Sequence, residues 1–197
     1  MAFACTRPKT KDDLYRNIDL EKGINQSSAE NIDLSNMNLT NQDVPIIIKK
    51  AIRKKKPTSL SLSTNKITAD GVRMMVDSLK TNKNLTHLFL SSNPIGDEGI
   101  KYIIELIENN RSLYHLSLND TEITDNGIKI ISDVLRLNST TIRCLDLRSN
   151  QSITDSSIDC LLQMVEQNQT LSACRLDNCG LSQQGKEKLR EAKSIKW

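Results

Sequence analysis

Residues 85–112 read LTHLFLSSNPIGDEGIKYIIELIENNRS, and residues 113–141 read LYHLSLNDTEITDNGIKIISDVLRLNSTT. The second stretch repeats the first almost position for position, and such self-similarity governs the fold ahead of any single residue. Aligned on L-x-x-L-x-L-x-x-N-x-I, the opening position recurs at Ala29, Pro57, Leu85, Leu113, Ile142 and Leu171. The steps are 28, 28, 28, 29 and 29 residues, so six units run from residue 29 to the end.

Each unit has two halves. The first alternates apolar and polar residues: Leu60 and Leu62, Leu88 and Leu90, Leu116 and Leu118, Leu145 and Leu147. Period two predicts a short strand with one buried face. The second half has helical spacing. Val72, Met75 and Leu79 form one apolar stripe, as do Ile100, Ile103 and Ile107; Ile128, Ile131 and Leu135; and Ile158, Leu161 and Val165. Thr40, Thr68, Thr124, Thr154 and Ser182 precede the helices, where a hydroxyl can accept from free backbone N–H groups. Asn65, Asn93 and Asn150 follow the strands, with Thr121 and Cys179 at the same position. A buried amide there can pair loop backbone groups that would otherwise lack partners.

One strand and one helix cannot bury both apolar faces alone, but stacked identical units can. Helices are wider than strands, so the stack curves with its strands inside. The expected fold class is α/β: a solenoid with a parallel sheet on the concave face and helices on the convex face. The 197 residues include six aromatics, two Phe, three Tyr and one Trp, which suits thin layers of Leu and Ile.

The 28-residue unit, with its L-x-x-L-x-L-x-x-N-x-I strand and G-x-x-x-(I/L) helix, resembles the ribonuclease-inhibitor type of leucine-rich repeat. Gly71, Gly99, Gly127 and Gly185 recur at one position, with Asp43 and Ser157 in their place elsewhere. The resemblance implies a horseshoe that binds a folded protein. An enzyme partner would be inhibited by covering its active-site mouth. The size, the Lys/Asn/Ile-rich usage and the missing signal peptide also resemble eukaryotic-type repeat proteins that intracellular bacteria inject into host cells as effectors. Gln183 to Lys193 is compatible with a translocation signal.

The expected organisation is an N-terminal capping segment over 1–28, five repeats over 29–170, and a sixth repeat over 171–197 acting as C-terminal cap. Lys11 to Leu20 is expected to form a short helix over the first strand, and Lys186 and Lys193 make the last helix polar. The start MAFACTRPKTKDDLYRN has no apolar core of a secretory signal, and no apolar run approaches eighteen residues. The cysteines are Cys5, Cys144, Cys160, Cys174 and Cys179, an odd set without a C-x-x-C pair. Free thiols in a reducing cytosol are expected, or in the host-cell cytosol for an injected effector.

Function must lie where the fold does not dictate the residue. Those positions are the strand side chains facing the concavity: Asn31, Ser59, His87, His115, Cys144 and Ala173 in one column, and Asp33, Ser61, Phe89, Ser117, Asp146 and Arg175 in the next. A third column holds Ser35, Ser63, Ser91, Asn119, Arg148 and Asp177. The candidate partner-binding set is His87, Phe89, Tyr114, His115, Ser117, Asn119, Arg143, Asp146, Arg148, Arg175 and Asp177. Aromatic and Arg side chains dominate protein–protein hot spots.

Three other readings compete. His115, Cys144 and Asp146 on neighbouring strands form a Cys–His–Asp set on paper, but without an oxyanion hole or a pocket, so no catalytic residue is assigned. His87 and His115 could share a metal, yet an open sheet seldom enforces tetrahedral geometry, so no metal or other cofactor is expected. The run Lys49, Lys50, Arg53, Lys54, Lys55 and Lys56 reads first as a solvated helix face and second as a phosphate or acidic-membrane contact. A net charge of +3 does not predict nucleic acid. The resemblance also admits a GTPase-activating protein of the Ran type, although the usual acidic tail is missing here. The function expected is non-enzymatic protein binding, by a monomer or within a hetero-complex, with no small-molecule substrate.

Overall fold

The computed structural model describes residues 15–137 and 140–191. Six three-residue strands form one parallel sheet in sequence order: β1 (Asn31–Asp33), β2 (Ser59–Ser61), β3 (His87–Phe89), β4 (His115–Ser117), β5 (Cys144–Asp146) and β6 (Ala173–Arg175). The register joins Asn31, Ser59, His87, His115, Cys144 and Ala173 across neighbouring strands, so the expected columns exist. The central residue of each strand points inward, from Ile32 to Cys174, and all are buried. The layers close into the expected α/β horseshoe.

The helices are α1 (Ile18–Gln26), α2 (Val44–Ile46), α3 (Ala69–Leu79), α4 (Gly96–Asn109), α5 (Asp125–Leu137), α6 (Ile158–Gln167) and α7 (Gln183–Arg190). All four predicted apolar stripes are buried. Between units, the buried asparagines act as expected. Asn150 accepts from the N–H groups of Thr121 and Ile123 at 2.9 and 3.0 Å and donates to the carbonyls of Leu118 and Leu147 at 2.9 and 2.8 Å. Thr121 donates its hydroxyl to Leu118 at 2.6 Å, and the Cys179 thiol points at the Leu147 carbonyl.

Two expectations need correction. The N-terminal helix spans Ile18–Gln26, not Lys11 to Leu20, because the Asn17 side chain accepts from the Leu20 N–H at 3.0 Å and starts the helix there. Residues 11–14, Lys193 and Cys5 lie outside the described residues. The helix of the first repeat is also not plain α. A short 3-10 turn (Asn41–Asp43) leads into α2, and a π-helix (Ile47–Lys55) follows. The wider turn brings Ile47 and Ile52 onto one buried face, together with Ala51.

The predicted cap hydroxyls do more than cap. Thr124 and Thr154 donate their hydroxyls and N–H groups to Asp97 and Asp125, the first-turn carboxylates of the preceding repeat, at 2.6–2.9 Å. Ser182 bonds Asp155 in the same way, and Asn41 bonds Thr68. Thr68 makes no cap bond to its own helix. The ladder is interrupted once, where Ala69 offers no acceptor and Gly96 no hydroxyl. Burial opposes ionisation of Asp125, but the Ser157 and Thr154 bonds outweigh it and hold its pKa below the ordinary carboxylate value.

Candidate functional site

Strand parity sends the first and third residues of each strand into the concavity. On β3 and β4 this places His87, Phe89 and His115 side by side, all half-buried. The His87 and His115 ring centroids are 5.5 Å apart, Phe89 and His115 are 5.1 Å apart, and His87 stacks on Phe89 at 6.2 Å. The Tyr114 ring meets the edge of His87 at 4.7 Å. Ring pairs at these separations are mutually favourable, so the patch is held before any partner arrives. Burial pushes the His115 pKa down, and the charges of His87 and Arg175 add to that effect while Asp146 opposes it. The imidazole is therefore neutral near pH 7.

A charged cluster adjoins the rings. Arg148 grips Asp146 with Nε at 2.9 and 3.1 Å and Nη2 at 2.7 Å, and Arg175 stands 4.0 Å away. The Asp146 side chain is only 5% exposed, while those of Arg148 and Arg175 are 40% and 43% exposed. The pair thus turns guanidinium, not carboxylate, to the outside.

The structure brings together His87, Phe89, Tyr114 and His115, and separately Asp146, Arg148 and Arg175. Asn119 and Asp177 are half-buried beside them. Two members of the candidate set are buried and bonded within the chain. Ser117 is buried, its hydroxyl 2.8 Å from that of Ser91, and Asp146 is occupied by Arg148. Tyr114 and Arg143 each precede a strand and stand on the rim of the face, both exposed. The Cys–His–Asp arrangement is not assembled, since Asp146 orients Arg148 and not His115. Burial pushes the Cys174 thiol to about 12 and the Cys179 thiol to about 11, which keeps both protonated.

The basic run divides. Lys50 pairs with Glu21 at 3.0 Å, and Lys55 donates to the carbonyls of Ile24 and Ser27 at the end of α1. Arg53 donates to Ser78 at 3.0 Å. These cations fasten α1 and the neighbouring repeat. No helix among the described residues is long and apolar enough to cross a membrane.

Sequence reading missed a feature of the rim at the strand N-termini. Arg111, Ser112, Tyr114, Thr140 and Arg143 line a groove of ≈ 520 Å³ there. Its sequence signal is the recurrence of Lys83 and Arg111 at one repeat position, which lies outside the strand columns.

Comparison with known proteins places these features in a family context. A family model described as Leucine Rich repeat matches residues 58–76, 81–103, 109–132 and 138–162. No curated protein matches the sequence. Among solved structures, the chain is similar to Leiomodin-1 Actin-Binding Site 2, with a TM-score of 0.60 at 16% identity. That likeness covers 77% of this chain and 86% of the other, and at this identity it concerns the fold alone.

Proposed function

Because the chain is a leucine-rich-repeat protein, we propose that it is a protein-binding module that grips a folded partner in its concave face. The observation that carries this reading is the half-exposed ring cluster of His87, Phe89 and His115, which the stacking of repeats does not require. Arg148 and Arg175 flank it with guanidinium groups turned outward. Rings framed by Arg make a hot-spot composition.

Within this proposal the face regulates its partner by covering a working surface, and an enzyme would be inhibited by occlusion. The ribonuclease-inhibitor type of repeat, delivery as a bacterial effector and a cytosolic place of action belong to the same proposal. So does the division into a capping segment over 1–28, five repeats and a capping sixth repeat. The similar fold is an actin-binding site in leiomodin-1, so purified actin is one bait to include.

The test is affinity capture with wild type and a His87→Ala/Phe89→Ala variant, whose folding is checked by circular dichroism. A partner held by wild type is expected to be lost by the variant, since each hot-spot truncation costs about 2 kcal/mol or more. Equal retention by both proteins would move the binding surface elsewhere.

A further inference from the structure

We propose that the rim at the strand N-termini is a second docking surface, a trough for an extended acidic polypeptide segment. Three grooves lie along this rim and share walls. One involves Arg53, Lys56 and Thr81 to Lys83, with a volume of ≈ 370 Å³. The next, ≈ 480 Å³, uses Thr81 to Lys83 again and continues to Arg111 and Ser112. The third, ≈ 520 Å³, starts from Arg111 and Ser112 and runs past Arg143 to Ser172. Together they follow the solenoid from the first repeat to the last.

The charge along the trough is one-sided. Arg53, Lys56, Lys80, Lys83, Arg111 and Arg143 line it, against a single carboxylate, Asp77. Lys80 is spent on Asp77 and on Glu105, both at 2.8 Å, so the excess rests on Arg53, Lys56, Lys83, Arg111 and Arg143. Lys56, Lys83 and Arg143 make no ion pair or side-chain hydrogen bond among the described residues, so their charge is available. Helix C-termini favour nearby cations, which accounts for some of this excess. It does not account for Arg143, which precedes a strand instead of ending a helix. Thr140, a residue only 6% exposed, belongs to the lining of the third groove.

Spacing selects the occupant. Lys83 and Arg111 hold the same position in successive units, followed by Thr140. The rim lies between a sheet with strands ~4.8 Å apart and a helix layer with axes ~8–10 Å apart, so its column repeats between those values. Alternate side chains of an extended peptide recur every ~6.6 Å, within that range. Asn82, Asn109, Thr170 and Ser172 add polar groups to the lining, although Asn82, Asn109 and Thr170 also bond within the chain. Single-stranded nucleic acid has a similar phosphate spacing but needs a row of stacking rings, and Tyr114 is the one ring lining these grooves.

The experiment titrates a fluorescent peptide of alternating Glu and Ser against the full chain by anisotropy, with oligothymidine as competitor. The peptide is expected to bind at low ionic strength and to weaken as salt rises. Lys83→Glu/Arg143→Glu should weaken it by about tenfold or more, with Lys83→Gln/Arg143→Gln in between. Neither side chain has a partner among the described residues, so folding is expected to be retained. The His87→Ala/Phe89→Ala variant should bind the peptide as wild type does, which separates this surface from the concave face. The proposal is overturned if wild type does not bind the peptide, if charge reversal changes nothing, or if oligothymidine binds more tightly than the peptide.

Discussion

At His115 burial and the neighbouring His87 and Arg175 lower the pKa together, against the opposing charge of Asp146. In the unfolded chain the imidazole takes up its proton near the ordinary value of ~6.5. The folded protein takes it up only at lower pH. Between the two values the unfolded state holds more protons, so stability rises with pH through that window. The stability tied to neutral His115 is complete above the unfolded value and is eroded as pH falls towards the folded one. Urea midpoints at pH 7 and pH 5 should therefore fall further for wild type than for His115→Gln, and an equal fall in both would contradict the assignment. The facing of this residue was legible in the sequence, because strand parity decides which side chains enter the concavity. What its neighbours do there was not. Parity puts Ser117 and Asp146 in the same column as Phe89, yet the Ser91 hydroxyl and the Arg148 guanidinium take up both. Those outcomes depend on cross-strand contacts and rotamers, which periodicity does not encode.

Between elements, the recurring glycine reports a contact across repeats. A Cβ at Gly127 would collide with the Asp97 carboxylate and with Ile123 Cγ2, and a Cβ at Gly71 would collide with the Asn41 carboxamide. Where Ser157 stands at this position, its hydroxyl bonds Asp125 instead. Gly127→Ala gains up to about 1 kcal/mol of helix propensity. Overpacking costs about 1–3 kcal/mol, so the net change expected by urea denaturation is destabilisation. The cost should shrink in an Asp97→Ala background, because the two side chains then no longer compete for the space. An undiminished cost there would dissociate Gly127 from the Asp97 contact. The strand, stripe and asparagine positions were all legible, since each follows from a local period. The ladder itself was not, because Thr124 and Asp97 meet only after the repeats stack. Nor was the π-helix, since the isoleucine and lysine run after Pro45 fits an α stripe as well as the wider turn.

On the scale of the whole molecule, strand order equals sequence order, and each layer rests on the layers before and after it. Stability in such a stack is close to a sum of units and their interfaces. An end layer therefore needs something to cover its apolar side. Helix α1 covers the first layer with Leu20 and Ile24, at 0% and 1% exposure. Polar bonds hold it there: Tyr15 and Asn17 donate to Asp43 at 2.9 and 2.7 Å, and Lys55 reaches the last carbonyls of α1. Leu20→Ala should cost about 2–5 kcal/mol as a large-to-small change in a closed core. The loss should also be local. Amide exchange should accelerate in β1 and the π-helix while β4 to β6 keep most of their protection. Leu116→Ala, in the interior strand β4, removes the same side chain from a layer with neighbours on both sides. It should lower protection in units on both flanks. Uniform loss throughout the chain on Leu20→Ala would show that the six repeats unfold as one block, and the additive description of the stack would then fail for an array this short.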